Sequence, residues 1–184
     1  MQLYFRHIIL ILLLVFGAAG QARQVAWASD GQPELEYKLK AAFLFNFARF
    51  TKWPRATENP SAPFVFCVVG QDPFGPALRA LQERSIGDKA IKLHYAGSAP
   101  DGLDQCQVLF ISKSESRTLQ HILNFTNGKP IITVSDIDGF AAASGMFEFI
   151  NTEGKLSFII NNSVALGNGI HVSSSLLNLA YKVQ

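Results

Sequence analysis

Gly70-Gln71-Asp72-Pro73-Phe74-Gly75 joins an apolar run to a mixed one, the kind of strand-to-helix turn at which open α/β sheets hold phosphates. It lacks the lysine and hydroxyl residue of a P-loop and the spacing of a dinucleotide fingerprint, and Asp72 would repel an anion. The better reading is a cap, with Asp72 as N-cap and Pro73 as first helical residue. Ser135-Asp136-Ile137-Asp138-Gly139 sets two carboxylates on either side of one residue, but the remaining oxygen ligands of a calcium loop are absent. Asp136 is expected to stabilise a turn. His94, His121 and His171 are far apart, with no companion at metal-ligand spacing. Ser173, Ser174 and Ser175 read as a helix cap, since no nucleophile elbow surrounds them. These residues give no positive case for an enzyme, and neither a metal nor a cofactor is expected. If a ligand site exists, glycine-rich loops at the sheet ends, around Gly70, Asp136 and Gly167, are where a small-ligand receptor or carrier would place it.

The elements that position these loops begin after a leader. Arg6 and His7 precede the apolar run 8–16, and small residues follow at 17–20, which is the pattern of an export signal. Nine apolar residues are too few to span a bilayer, which needs about 20. Residues 1–28 are therefore read as a signal peptide, with cleavage after Ala22 or Ala28, and the exported protein as soluble. Cleavage after Ala22 removes Arg6 and leaves fifteen basic against fourteen acidic residues; cleavage after Ala28 also removes Arg23 and balances them. A near-neutral chain has no electrostatic footprint for nucleic acid.

Cys67 and Cys106, 39 residues apart, suggest one disulfide in an oxidising compartment. A free Cys67 would also pack well inside the apolar run FVFCVV as a small hydrophobe.

The runs FVFCVV (64–69), CQVLFI (106–111) and PIITV (130–134) are continuous and apolar, as strands covered on both faces are. Residues 91–95 alternate enough for another strand, and 146–150 with 156–160 form a hairpin across the turn 151–154. Helices are expected over 34–52, 73–84 and 114–125, from Asn162, and over 173–181. Strands alternating with helices predict a single α/β layered domain over 34–184. Its central sheet is largely parallel but mixed, with helices on both faces and the late hairpin.

The first helix has the most unusual composition. Leu35, Leu39, Phe43, Phe47 and Phe50 fall on one stripe at 100° per residue, the expected core face. Tyr37, Ala41, Leu44 and Ala48 lie about a third of a turn away. Phe45 belongs to neither group and projects among Lys38, Arg49 and Lys52. Phe45, Arg49 and Lys52 are read as a protein contact, since aromatic and arginine side chains anchor such surfaces; burial of Phe45 under the C-terminal helix is the alternative.

In order along the chain, EYKLKAAFLFNFARFTKWP, FVFCVVGQDPFGPAL, CQVLFIS, PIITVSDIDGF and FIINNSVALGNGIHVSSSLLNLA resemble the YfiR family of periplasmic regulators. Gln107 stands where a histidine is common, Ser144-Gly145 replaces a double glycine, and Ser175 replaces a basic residue. The resemblance implies a periplasmic protein that represses an inner-membrane diguanylate cyclase by binding its periplasmic sensor region. Cyclic-di-GMP and biofilm formation would fall while it is bound. An OmpA-like outer-membrane lipoprotein as a sequestering partner, and a homodimer, are implied in the same way.

Overall fold

The computed structural model describes residues 31–54, 62–97 and 102–184; the expected signal peptide lies outside them. Gly31–Gln184 forms one compact unit.

Helix α1 (Gly31–Arg49) opens it, three residues shorter than expected at its C-terminal end. Thr51–Lys52 instead forms a short strand, β1, antiparallel to β9 (His171–Val172). A mixed sheet of eight strands carries the rest. Its strands are β2 (Phe64–Val69), β3 (Ser85–Ile86), β4 (Lys89–Ala96), β5 (Val108–Ile111), β6 (Ile132–Ser135), β7 (Phe147–Thr152), β8 (Lys155–Ile160) and β10 (Lys182–Val183). Their spatial order is β10-β8-β7-β6-β5-β2-β4-β3. The block β4, β2, β5, β6 and β7 is parallel, while β7 and β8 make the expected antiparallel hairpin. All six residues of β2 and all four of β5 and β6 are buried, as continuous apolar runs require in a two-sided sheet.

Alternate residues of the strands feed two cores. Phe66, Val68, Phe110, Val134, Phe147 and Phe158 point to one face, covered by α1, by Leu78 of α2 (Pro76–Arg79) and by Ala165 of α4 (Asn162–Gly167). Cys67, Val69, Leu109 and Ile111 point to the other, covered by Ile122 and Leu123 of α3 (Leu119–Thr126). The Cys67–Cys106 disulfide, with Cα atoms 5.8 Å apart, ties β2 to the entry of β5 on that second face.

Three expected helices are shorter than the sequence suggested. Over 73–84 only Pro76–Arg79 is α-helical, followed by a 3-10 turn at Ala80–Glu83. Gly75, at φ 53°, breaks the run before it starts, and Asp72 accepts from the Phe74 amide at 2.8 Å in a local turn instead of capping a helix. The helix expected over 114–125 starts at Leu119, after a separate 3-10 turn at Lys113–Glu115. The closing helix, α5 (Ser174–Leu177), is a single turn capped by Ser173, whose side chain accepts from Leu176 N. The chain then extends so that β10 can pair with β8.

Candidate functional site

Helix α1 seats on the sheet by the face with the smaller residues. Ala41, Leu44, Phe47 and Ala48 are buried, whereas Leu35, Leu39 and Phe50 are 58%, 46% and 41% exposed. The expected core stripe is thus corrected: only Phe47 of it is fully buried, and Phe43 is half-buried. The alanines let the helix backbone approach a floor already filled with large rings. Phe47 stacks on Phe147 at 4.4 Å and meets Phe158 edge-on at 5.1 Å, and Phe43 contacts Phe158 at 5.4 Å between centroids. With that floor occupied, the leucines of the other stripe are left facing out.

Phe45 is buried at 8% exposure and belongs to the same core. The cover the structure shows over its ring is guanidinium: Arg84 at 4.7 Å and Arg49 at 5.8 Å from its centroid. Arg49 and Lys52 are exposed. They border a cavity of about 460 Å³ with Trp53, Phe64, Ile86 and Lys89. Arg49 also lies 5.7 Å from the exposed Phe50 ring. The structure therefore keeps Arg49 and Lys52 at the surface with Phe50, and takes Phe45 inside.

On its buried side α1 carries a polar cluster. Lys40, only 3% exposed, donates to Asp136 Oδ2 and to Glu36 Oε1, each at 2.6 Å. The Tyr37 hydroxyl donates to the same Asp136 Oδ2 at 2.9 Å. Lys40 Nζ also sits 4.3 Å from the centroid of the Tyr37 ring, a cation–π contact. Burial, and then the negative charge and hydrogen bond of Asp136, push the Tyr37 hydroxyl well above its usual range. Asp136, 5% exposed, leaves β6 at its C-terminal end. It does more than stabilise a turn: it fastens α1 to the sheet edge. The local turn is held by Ser135, whose hydroxyl donates to Ile111 O at 2.7 Å and accepts from Ile137 N at 3.0 Å. Glu148 secures the following turn by accepting from Gly139 N and Ala141 N, both at 2.9 Å.

Gly70, Asp136 and Gly167 are not brought together. Gly70 follows β2 and Asp136 follows β6, so both lie at the C-terminal ends of parallel strands. Gly167 ends α4, and the adjacent Asn168 accepts from Gly128 N, on the approach to β6 at the opposite end. The chain moves from β2 to β4 on one side, then to β5 on the other, which places the topological switch point beside Gly70, where open sheets bind ligands. Here that crevice is filled from within. Gly70 has φ 84°, and a Cβ on it would lie 2.4 Å from Ser114 Oγ. Gln71 N donates to Ser114 Oγ at 3.0 Å, and Ser114 Oγ donates to Glu115 at 3.1 Å.

His94 sits half-buried on β4, while His121 and His171 are exposed. Among the described residues no grouping of His, Cys, Asp and Glu could hold a metal ion, and no helix is long and apolar enough to cross a membrane. What the geometry offers is a helix with an apolar and basic outer face, latched to a sheet by a buried ion pair. The YfiR/HmsC-like family model matches residues 37–181, from the tyrosine of that latch through the closing helix. The chain belongs to the YfiR/HmsC-like family, a regulatory, non-catalytic family of periplasmic proteins that generally act on diguanylate cyclases.

Proposed function

We propose that this protein is exported by the signal peptide at 1–28 and represses an inner-membrane diguanylate cyclase by occupying its periplasmic sensor region. The observation that carries the reading is the outward face of α1. A helix that buries Ala41 and Ala48 and presents Leu35 and Leu39, with Phe50 just past its end and Arg49 and Lys52 alongside, has the aromatic, aliphatic and arginine composition of a binding surface. Action is by occupancy, so no catalytic group is required. Release by an OmpA-like outer-membrane lipoprotein and self-association are parts of the same proposal, as competitors for the regulator.

Leu39→Asp and Phe50→Asp test it. Both side chains are largely out of the core, so the melting temperature should stay within a few degrees, while binding to the purified sensor region falls at least tenfold, as anchor residues lose about 2 kcal/mol or more on truncation. Phe45→Asp should instead unfold the protein, since its ring is enclosed. Unaltered binding by the Leu39 and Phe50 variants, or a deletion strain with unchanged cyclic-di-GMP and adhesion, would overturn the reading.

A further inference from the structure

We propose that the cavity over Asp136 is a binding site for a small organic cation, an alkylammonium or guanidinium compound. The cavity, of about 270 Å³, is lined by Glu36, Lys40, Lys113, Asp136, Asp138 and Phe149 among others. It is smaller than the roughly 300–1,000 Å³ of a drug-sized pocket, and suits a charged head with a short stem.

Charge defines what it takes. The single ammonium of Lys40 is shared between Glu36 and Asp136, so this group of three is one positive charge short. At the mouth, the exposed Asp138 and Lys113 offset each other. Hydrogen bonding points the same way. Asp136 Oδ2 takes both the Lys40 and the Tyr37 donor, whereas the buried Oδ1 has no hydrogen-bond partner among the described residues. A buried carboxylate oxygen with no donor is a demand for one. Phe149 and Leu156 supply the apolar wall for a stem, and Lys40 Nζ already lies 5.9 Å from the Phe149 ring centroid, so that wall accepts a cation close by. A cation with several N–H donors and a hydrocarbon stem meets all three conditions. The described residues contain no ligand set for a metal ion. The site also sits at the C-terminal edge of the parallel strands β6 and β7.

This inference goes beyond the proposed repression of a cyclase and does not depend on it, since the site lies on the seated side of α1 and the proposed partner surface on the outer side. The test is a titration of the full chain, followed by amide nuclear magnetic resonance, with n-butylammonium, n-butylguanidinium and, as neutral isostere, n-butanol. Saturable shifts at Asp136, Ile137 and Asn151 are expected for the two cations only, with dissociation constants on the order of a millimolar. Asp138→Asn should weaken binding about threefold and Lys113→Gln should tighten it by a similar factor, the size of exposed charge effects. Asp136→Asn should abolish binding; the two rim variants carry the test if that variant does not fold. An equal response to n-butanol, no saturation at about 20 mM, or rim variants that leave affinity unchanged would overturn the proposal.

Discussion

Replacing Lys40 with methionine isolates the ion pair that fastens α1. Methionine has similar length and good helix propensity, so the change removes charge and donors with little loss of volume. Both partners are out of water, Lys40 at 3% and Asp136 at 5% exposure, and among the described residues the 2.6 Å contact is supported by one other donor to that carboxylate, Tyr37. Removing one member of such a pair leaves a buried charge uncompensated and costs about 3–5 kcal/mol. The Glu36 arm adds little, because that carboxylate is 44% exposed and such pairs contribute about 0–1 kcal/mol. For a domain of this size the loss corresponds to a fall in Tm of roughly 6–20 °C. Urea denaturation should show a lower midpoint with an unchanged m-value. Lys40→Met combined with Asp136→Asn should cost less than the two single changes added together, by about 2 kcal/mol, because the double variant has no stranded charge. A loss below about 1 kcal/mol for Lys40→Met, or additivity within about 0.5 kcal/mol, would refute the reasoning.

Further outcomes follow from other contacts. Since Tyr37 holds its proton more tightly folded than unfolded, its contribution is complete below its unfolded pKa of about 10 and is lost as pH rises beyond it. The stability difference between wild type and Tyr37→Phe, measured by urea denaturation, should be positive at neutral pH and shrink above about pH 10. Reducing the Cys67–Cys106 bridge, which closes a 39-residue separation, should cost about 4 kcal/mol by the loop-closure estimate; a Cys67→Ser variant should melt at the same temperature with and without reductant. Ser144 has φ 78°, a left-handed conformation in a non-glycine residue. Ser144→Gly should therefore raise stability by about 0.5–1 kcal/mol, read as a higher Tm.

Much of the sheet could be read from the chain because its strands announce their burial. FVFCVV and CQVLFI have no polar phase, so they had to lie between two layers, and they do. The hairpin of β7 and β8 was marked by its turn residues. The orientation of α1 was not legible, because both of its faces are apolar. The choice between them is made by Phe147, Phe149 and Phe158, about a hundred residues away, whose rings take Phe47 of the seated face. The same long reach hid the role of Asp136, whose sequence neighbours suggest only a turn while its partners lie on α1. The stretch before α2 was misjudged for a local reason: the positive φ of Gly75 interrupts what composition suggested was continuous. Phe45 looked out of place because the arginine that covers it, Arg84, comes from a segment that was expected to be helical throughout.

The position of α1 in the chain has a kinetic consequence. It precedes every strand among the described residues, yet its floor is the β7–β8 hairpin, its latch is Asp136, and the strand that follows it pairs with Val172 and His171. None of these exists as a surface until nearly the whole domain has been made. The helix formed first must therefore wait, with Phe43 and Phe47 uncovered, while β2 to β6 assemble by their shorter-range pairings. Loop closure over such separations slows folding and prolongs the interval in which apolar side chains can meet the wrong partner. The segment most exposed to misassociation during biogenesis is thus the same helix whose outer face remains uncovered when folding is complete.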